Sequence, residues 1–231
     1  MHLSVIGVQF IFTAMSLVTP RIPIGGSSAL TLNDVLDGIL LPLFAAILYY
    51  TLFQSTRGGF SLGPLLLLVA RSLGSGAHSV ANSTDILHKH DLRDPLGRHV
   101  FICHEYWAHP LFYGGEFGLL ALYLYRAVPL HSGKEKKKPS IEQQQQLEPI
   151  SFIVACLHGS VAGAFAIGTR TTPALFLVYM TVARMFRNRR MTTSAIGTYA
   201  LAWIALSAAV FLVWVMQHGL PPPTFGDLTR G

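Results

Sequence analysis

The sequence predicts an all-α membrane protein, built as one bundle of about seven transmembrane helices. Hydrophobic residues make up 51% of the 231 residues, and the mean hydropathy is +0.46. Only 12% of the residues are charged, whereas soluble domains carry about 25%. The hydrophobic residues gather in seven runs, most of them near the length of about 20 residues that a spanning helix needs.

The seven runs are separated by short polar segments or by proline and glycine. They are residues 3–19, 36–54, 62–86, 99–127, 149–168, 172–186 and 195–217. The sixth run is short for a spanning helix. The first run lacks a basic leading segment, so we do not expect a cleaved signal peptide, although small residues at 25–29 leave cleavage open.

Two segments are not expected to form helices. Residues 129–148 are polar and of low complexity, which predicts a mobile cytosolic loop. Residues 218–231 contain three consecutive prolines, which exclude a helix through the tail. Because the spans need nearly all the other residues, we interpret 1–231 as a single transmembrane domain.

The basic residues lie in short loops and indicate the orientation of the chain. Ten lie on one predicted side: Arg57, Arg126, Lys134, Lys136, Lys137, Lys138, Arg184, Arg187, Arg189 and Arg190. Six lie on the other: Arg21, Lys89, Arg93, Arg98, Arg170 and Arg230. The positive-inside rule then places the N-terminus in the cytoplasm and the C-terminus outside or in a lumen. This distribution argues for membrane lipids as partners and against nucleic acid.

Ionisable residues are concentrated between Leu73 and His109, a stretch with six of the ten histidines. Each charge at the centre of a membrane helix costs about 2.5–3.5 kcal/mol on insertion scales, so such residues usually have a function. On the third predicted helix, His78, Asn82 and Asp85 share one face at i, i+4 and i+7. The small residues at 74–77, which include Ser75, let another helix approach closely.

The second and fourth predicted helices add acidic groups. Asp34 and Asp37 stand where the second helix begins, and they either cap it or face the site. On the fourth helix, Glu105 and His109 face the same way, and Glu116 continues that face. In an unbroken α-helix His104 would be rotated about 140° from His109, so we do not expect these two histidines to bind one ion.

The fifth predicted helix carries His158 near its middle, followed by Gly159 and Gly163, a spacing suited to close helix contact. His78, His109 and His158 should lie at similar depth, at about 1.5 Å of rise per residue. Three neutral imidazoles and a water form an open zinc site. His88, His90 and His99 are instead expected to be loop residues. Cys103 and Cys156 are expected to be buried free thiols rather than a disulfide.

A zinc ion with an open position activates water and polarises a carbonyl group. At membrane depth such a site meets lipids first, so we predict a zinc-dependent hydrolase that acts on a lipid amide or ester. Glu105 or Asp85 would accept the proton, and the apolar interior would hold acyl chains.

This layout over about residues 73–163 resembles the seven-helix membrane hydrolase superfamily that includes alkaline ceramidases and the adiponectin/progestin receptors. The resemblance implies zinc held by histidines on several helices, with a serine and an aspartate beside it. It would make His78 the histidine of the early helix, with Ser75 or Ser79 nearby and Asp85 as the acid.

The chain departs from that pattern at two places. The family carries a His-x-x-x-His pair on its last helix, whereas the seventh run here offers only His218 at its end. Gly74 occupies the place of the family's serine four residues before the first ligand.

Three other functions are compatible with the same residues. A proton- or metal-coupled transporter would use the buried His, Asp and Glu side chains as a pathway, with Arg71 paired to Asp85 or Glu116. A haem protein would use two axial histidines from facing helices. A receptor or interaction protein would hold a structural metal without turnover.

Overall fold

The computed structural model describes Gly7 and residues 22–24, 27–88, 93–127, 149–169, 171–188 and 195–219. A short hairpin, which the sequence pattern did not predict, precedes the bundle: β1 (Pro23–Ile24) pairs antiparallel with β2 (Ser27–Thr31). Pro23 lies opposite Thr31, and Ile24 lies opposite Ser27.

Six helices make up the rest of the described ranges, which confirms the all-α prediction. They are α1 (Leu32–Gln54), α2 (Leu62–His88), α3 (95–127), α4 (Pro149–Gly168), α5 (Thr172–Asn188) and α6 (Ala195–His218). Each coincides with one predicted run, from the second to the seventh. Apart from Gly7, the first run lies outside the described residues, as do the 129–148 loop and nearly all of the tail. The count of seven spans therefore stays a prediction.

Three helices in the described ranges are long and apolar enough to cross a membrane, namely α1, α4 and α6. This agrees with a membrane protein. α2 has the length, at 27 residues, and α3 is longer still, but both carry ionisable side chains. Five of these side chains are buried within the bundle: Arg71, His78, Glu105, His109 and Glu116.

A capping box fixes the start of α1. The Thr31 hydroxyl accepts a hydrogen bond from the Asp34 N–H, and Asp34 Oδ2 accepts one from the Thr31 N–H at 2.9 Å. Such reciprocal bonds satisfy backbone donors that a helix start leaves unpaired. Of the two acidic residues expected there, Asp34 is the cap, which leaves Asp37 to face the interior.

Small residues bring the backbones of α2 and α3 into contact. A Cβ atom at Gly74 would overlap the backbone of Phe112, and one at Gly115 would lie 2.7 Å from the backbone nitrogen of Arg71. α3 also packs against α5. The central helix α3 is therefore held in a fixed register against α2.

The predicted close contact at Gly159 and Gly163 is confirmed. A Cβ atom at Gly159 would overlap the backbone of Trp203, and one at Gly163 would lie 2.7 Å from the Ser207 carbonyl oxygen. α4 and α6 thus form a second tightly packed pair.

We expect Gly74→Ala to lower the free energy of unfolding by about 1–3 kcal/mol, because the added methyl group meets backbone that cannot rotate away. The matched control is Gly76→Ala on the same helix, where no described atom lies within 4 Å of the new methyl group. The control should be neutral or stabilising by up to about 1 kcal/mol. Unfolding in mild detergent measures both, and equal stabilities would contradict the packing.

Candidate metal centre

The helix α3 changes geometry in the segment that carries most of the site. Cys103–Ala108 forms a π-helical turn between the α-helical segments Pro95–Ile102 and His109–Ala127. Hydrogen bonds in a π-helix join residues five apart, and here the His109 N–H donates to the His104 carbonyl. Residues five apart consequently lie one above the other.

The π turn overturns the expectation that His104 faces away from His109, because that expectation assumed the rotation of an α-helix. The centroids of the two rings are 4.4 Å apart. His78 on α2 completes the group, with its ring centroid 4.6 Å from that of His104 and 5.2 Å from that of His109. One nitrogen from each ring lies within 4.8 Å of the other two.

The three rings could hold a metal ion. Two nitrogens bound to one tetrahedral zinc lie about 3.4 Å apart for Zn–N bonds near 2.1 Å, so the rings would have to move closer together to coordinate one ion. His109 Nδ1 is buried and has no hydrogen-bond partner among the described residues. A bound cation would supply the missing interaction. Imidazole suits zinc, copper, iron and nickel, so the rings alone do not select zinc.

Two buried carboxylates flank the rings. Asp37 lies in a second π-helical segment, Leu36–Leu40 of α1, and its Oδ2 is 2.6 Å from His78 Nδ1. Glu105 Oε1 is 3.5 Å from His104 Nδ1, and Glu105 Oε2 is 3.7 Å from His109 Nδ1. Buried carboxylates need compensating positive charge, which a protonated histidine or a divalent cation can provide.

A buried ion pair forms a second polar layer between α2 and α3. The Arg71 Nε–H donates to Glu116 Oε2, and the Tyr49 hydroxyl donates to Glu116 Oε1 at 2.6 Å. Arg71 lies seven residues before His78, and Glu116 lies seven residues after His109. The two layers are therefore about 10 Å apart along the helices. Glu116, one of the two partners predicted for Arg71, is held in this pair.

His158 is not one of the three clustered histidines. Its Nδ1 lies 3.0 Å from the Tyr199 hydroxyl, and its ring centroid is 5.7 Å from that of Trp203. Both neighbours belong to α6, against which Gly159 packs. The helix contact predicted from the glycine pair therefore accounts for the position of His158.

Other predicted residues lie near the centre or outside the described atoms. Asn82 Nδ2 is 3.1 Å from His78 Nδ1. The Ser75 hydroxyl donates to the Asp37 backbone carbonyl. The side chain of Asp85 lies outside the described residues. Both cysteines are free, as predicted, although they are half-buried rather than fully buried: Cys103 and Cys156.

A sequence signal for the His104–His109 pair exists in the segment HEYWAH. The zinc motif His-Glu-x-x-His places two histidines one α-helical turn apart. His-Glu-x-x-x-His is one residue longer, and it places them one π-helical turn apart.

No protein-family model matches this chain, and no curated protein or solved structure gives a significant match. The resemblance to the membrane hydrolase superfamily is therefore neither supported nor excluded by these comparisons.

Proposed function

We propose that this chain is a zinc-dependent hydrolase embedded in a membrane, which cleaves an amide or ester bond of a lipid. In this proposal His78, His104 and His109 hold the zinc, and the N-terminus lies in the cytoplasm. The observation that carries the proposal is the convergence of the three rings, two of them from one π turn, with Glu105 beside both.

The π turn supports a comparison with the His-Glu-x-x-His metal motif. In that motif the glutamate follows the first histidine and acts as the general base. Glu105 follows His104 directly, and its carboxylate lies close to the rings of His104 and His109. The π turn accommodates the extra residue, so the rings of His104 and His109 still lie together, 4.4 Å apart. The Glu105 carboxylate lies beside both rings.

The proposed roles follow from these positions. A zinc ion at the three rings would supply an open coordination position that activates water and polarises a carbonyl. Glu105 would accept the proton of the attacking water and return it to the leaving nitrogen or oxygen. The other acid considered, Asp85, lies seven residues beyond His78 on α2, and its side chain is not described. Proton transfer is assigned to Glu105 because its carboxylate lies beside the rings of His104 and His109.

A lipid substrate is supported by the surroundings of the site. Tyr106 and Trp107 directly follow Glu105 and are 51% and 63% exposed. Aromatic side chains exposed on a membrane bundle lie against acyl chains or the interfacial region. Glu105 itself is buried, so the reacting bond would be shielded from bulk water while the acyl chains stay in an apolar environment. The pair of Arg71 with Glu116, which the transport alternative also expects, is present, so a proton- or metal-coupled transporter stays the alternative function.

Metal analysis tests the proposal. We expect the chain purified in mild detergent to hold one zinc, and we expect His78→Ala, His104→Ala and His109→Ala each to lose it. His158→Ala is the matched control, since this buried histidine lies outside the cluster, and it should keep the metal. Elemental mass spectrometry measures the content, and a folded, unaltered chain that neither contains nor takes up zinc would contradict the proposal.

A further inference from the structure

The pairing of Asp37 with His78 brings α1 into the metal centre. Asp37 Oδ2 lies 2.6 Å from His78 Nδ1, and the two side chains are 6% and 8% exposed. Asp37 is not part of the group of three nitrogens that could share an ion. Its carboxylate instead contacts Nδ1 of the ring, and a ring held in this way can still offer Nε2 to an ion.

The neighbouring contacts hold Asp37 in place. The Ser75 hydroxyl donates to the Asp37 backbone carbonyl, and its oxygen lies 3.3 Å from Asp37 Oδ1. One turn further along α2, the Ser79 hydroxyl donates to the Asp34 carbonyl at 2.9 Å. Ser75, His78 and Ser79 lie on one face of α2. The first turns of α1 are therefore fixed against the face of α2 that carries the histidine.

We propose that Asp37 is the positioning residue of the metal centre: it accepts the Nδ1–H of His78 and so presents Nε2 to the metal ion. This inference rests on the proposed function. A metal-bound histidine usually donates its other ring N–H to a carboxylate or carbonyl, which fixes the tautomer and the ring orientation. Without such a partner, His78 would distribute its proton between the two nitrogens and rotate more freely.

The charge of Asp37 matters as well as its hydrogen bond. The Asn82 amide nitrogen lies 3.1 Å from the same ring nitrogen, but an amide nitrogen cannot accept the Nδ1–H. The Asp37 carboxylate at 2.6 Å can accept it, in a charge-assisted bond. A divalent ion held at the rings would be balanced by Asp37 together with Glu105. The buried centre would then carry no net charge.

Cobalt(II) binding tests the role of Asp37, with Asp34→Asn as the control. Asp34 is buried on the same helix one turn earlier, but its carboxylate bonds Thr31 in the capping box and, among the described residues, contacts no histidine ring. We expect Asp37→Asn to bind cobalt about 10–100-fold more weakly in competition with a chelator. At saturation it should still bind one ion, with an altered visible spectrum. Asp34→Asn should match the unaltered chain in affinity and spectrum.

Three outcomes would overturn the inference. An unaltered chain that binds no cobalt would remove this role together with the proposed function. An unaltered chain that binds cobalt, with equal affinity in Asp37→Asn, would remove the role of Asp37 alone. The third outcome needs no substitution at Asp37. The unaltered chain is labelled with ¹⁵N-histidine and loaded with ¹¹³Cd, and the coupling between cadmium and the ring nitrogens is measured by NMR. Coupling to His78 Nε2 is expected, and coupling to Nδ1 would overturn the inference. The His78 signals are assigned by their loss in His78→Gln.

Discussion

Replacing Glu105 by glutamine should lower the turnover of a lipid amide or ester by about 10²–10⁴-fold, the usual contribution of a general acid or base. The amide side chain has nearly the same size and would occupy the same place beside His104 and His109. It cannot accept the proton of water, so the chemical step slows. We expect the proposed zinc to remain bound, because Glu105 is not among the three clustered histidines.

Turnover is measured with fluorogenic long-chain acyl esters and amides in detergent or vesicles, alongside the zinc content of each preparation. Tyr106→Phe is the control, since Tyr106 lies in the same π turn with its side chain largely exposed. Unchanged turnover in Glu105→Gln would exclude the role as a base. Loss of zinc from Glu105→Gln would identify this residue as a ligand instead.

Arg71→Ala should destabilise the chain by about 3–5 kcal/mol, the usual effect of removing one partner of a buried ion pair. Arg71 is fully buried, and its Nε–H donates to Glu116, which also accepts from Tyr49. Without the guanidinium, the Glu116 carboxylate would stay buried with only the Tyr49 hydroxyl to stabilise it. Unfolding in mild detergent measures the effect.

The double variant Arg71→Met with Glu116→Leu distinguishes two causes of destabilisation. One is the loss of the attraction between the two side chains, and the other is the cost of a buried Glu116 carboxylate without its partner. Replacing a whole buried pair with apolar side chains is often neutral or stabilising, so the double variant should recover part of the stability lost in Arg71→Ala. The gain is limited because the buried Tyr49 hydroxyl loses its acceptor on Glu116. Arg126→Ala serves as a control at a half-buried arginine. Arg126 donates to the Gly59 carbonyl and the Ser61 hydroxyl near the end of α3, and its loss should cost less, about 1–2 kcal/mol, because the groups it leaves behind are neutral. A double variant as unstable as Arg71→Ala would contradict this account.

The helices could be predicted from the sequence because hydrophobic runs mark them directly. α4 spans the residues of its predicted run, and α6 exceeds its run by one residue. α1 begins four residues before the predicted run, at Leu32, because the capping box at Thr31 and Asp34 starts the helix within polar sequence. A hydropathy pattern does not predict the first turn of a helix when that turn is polar.

The histidine cluster could be predicted only in part. His78 and His109 lie together as expected, because helical periodicity and depth follow from residue spacing. The position of His104 does not follow from a constant 100° per residue, which does not allow for a π turn. The depth of His158 does not reveal which helix face meets which neighbour. Gly159 indicates which face of α4 meets α6, because it lies against the Trp203 backbone.

The ion pair also has a consequence for the way the chain enters a bilayer. Taken separately, α2 would carry the Arg71 charge into lipid, and α3 would carry the Glu116 charge. The insertion of such a charge at the centre of a helix costs about 2.5–3.5 kcal/mol. Taken together, the two helices present a neutral seam, closed by the backbone contacts at Gly74 and Gly115. If both helices cross the membrane, as the sequence predicts, insertion should therefore favour them as a hairpin rather than one after the other. In a chain that lacks one partner of the pair, the remaining charge would bear this insertion cost alone.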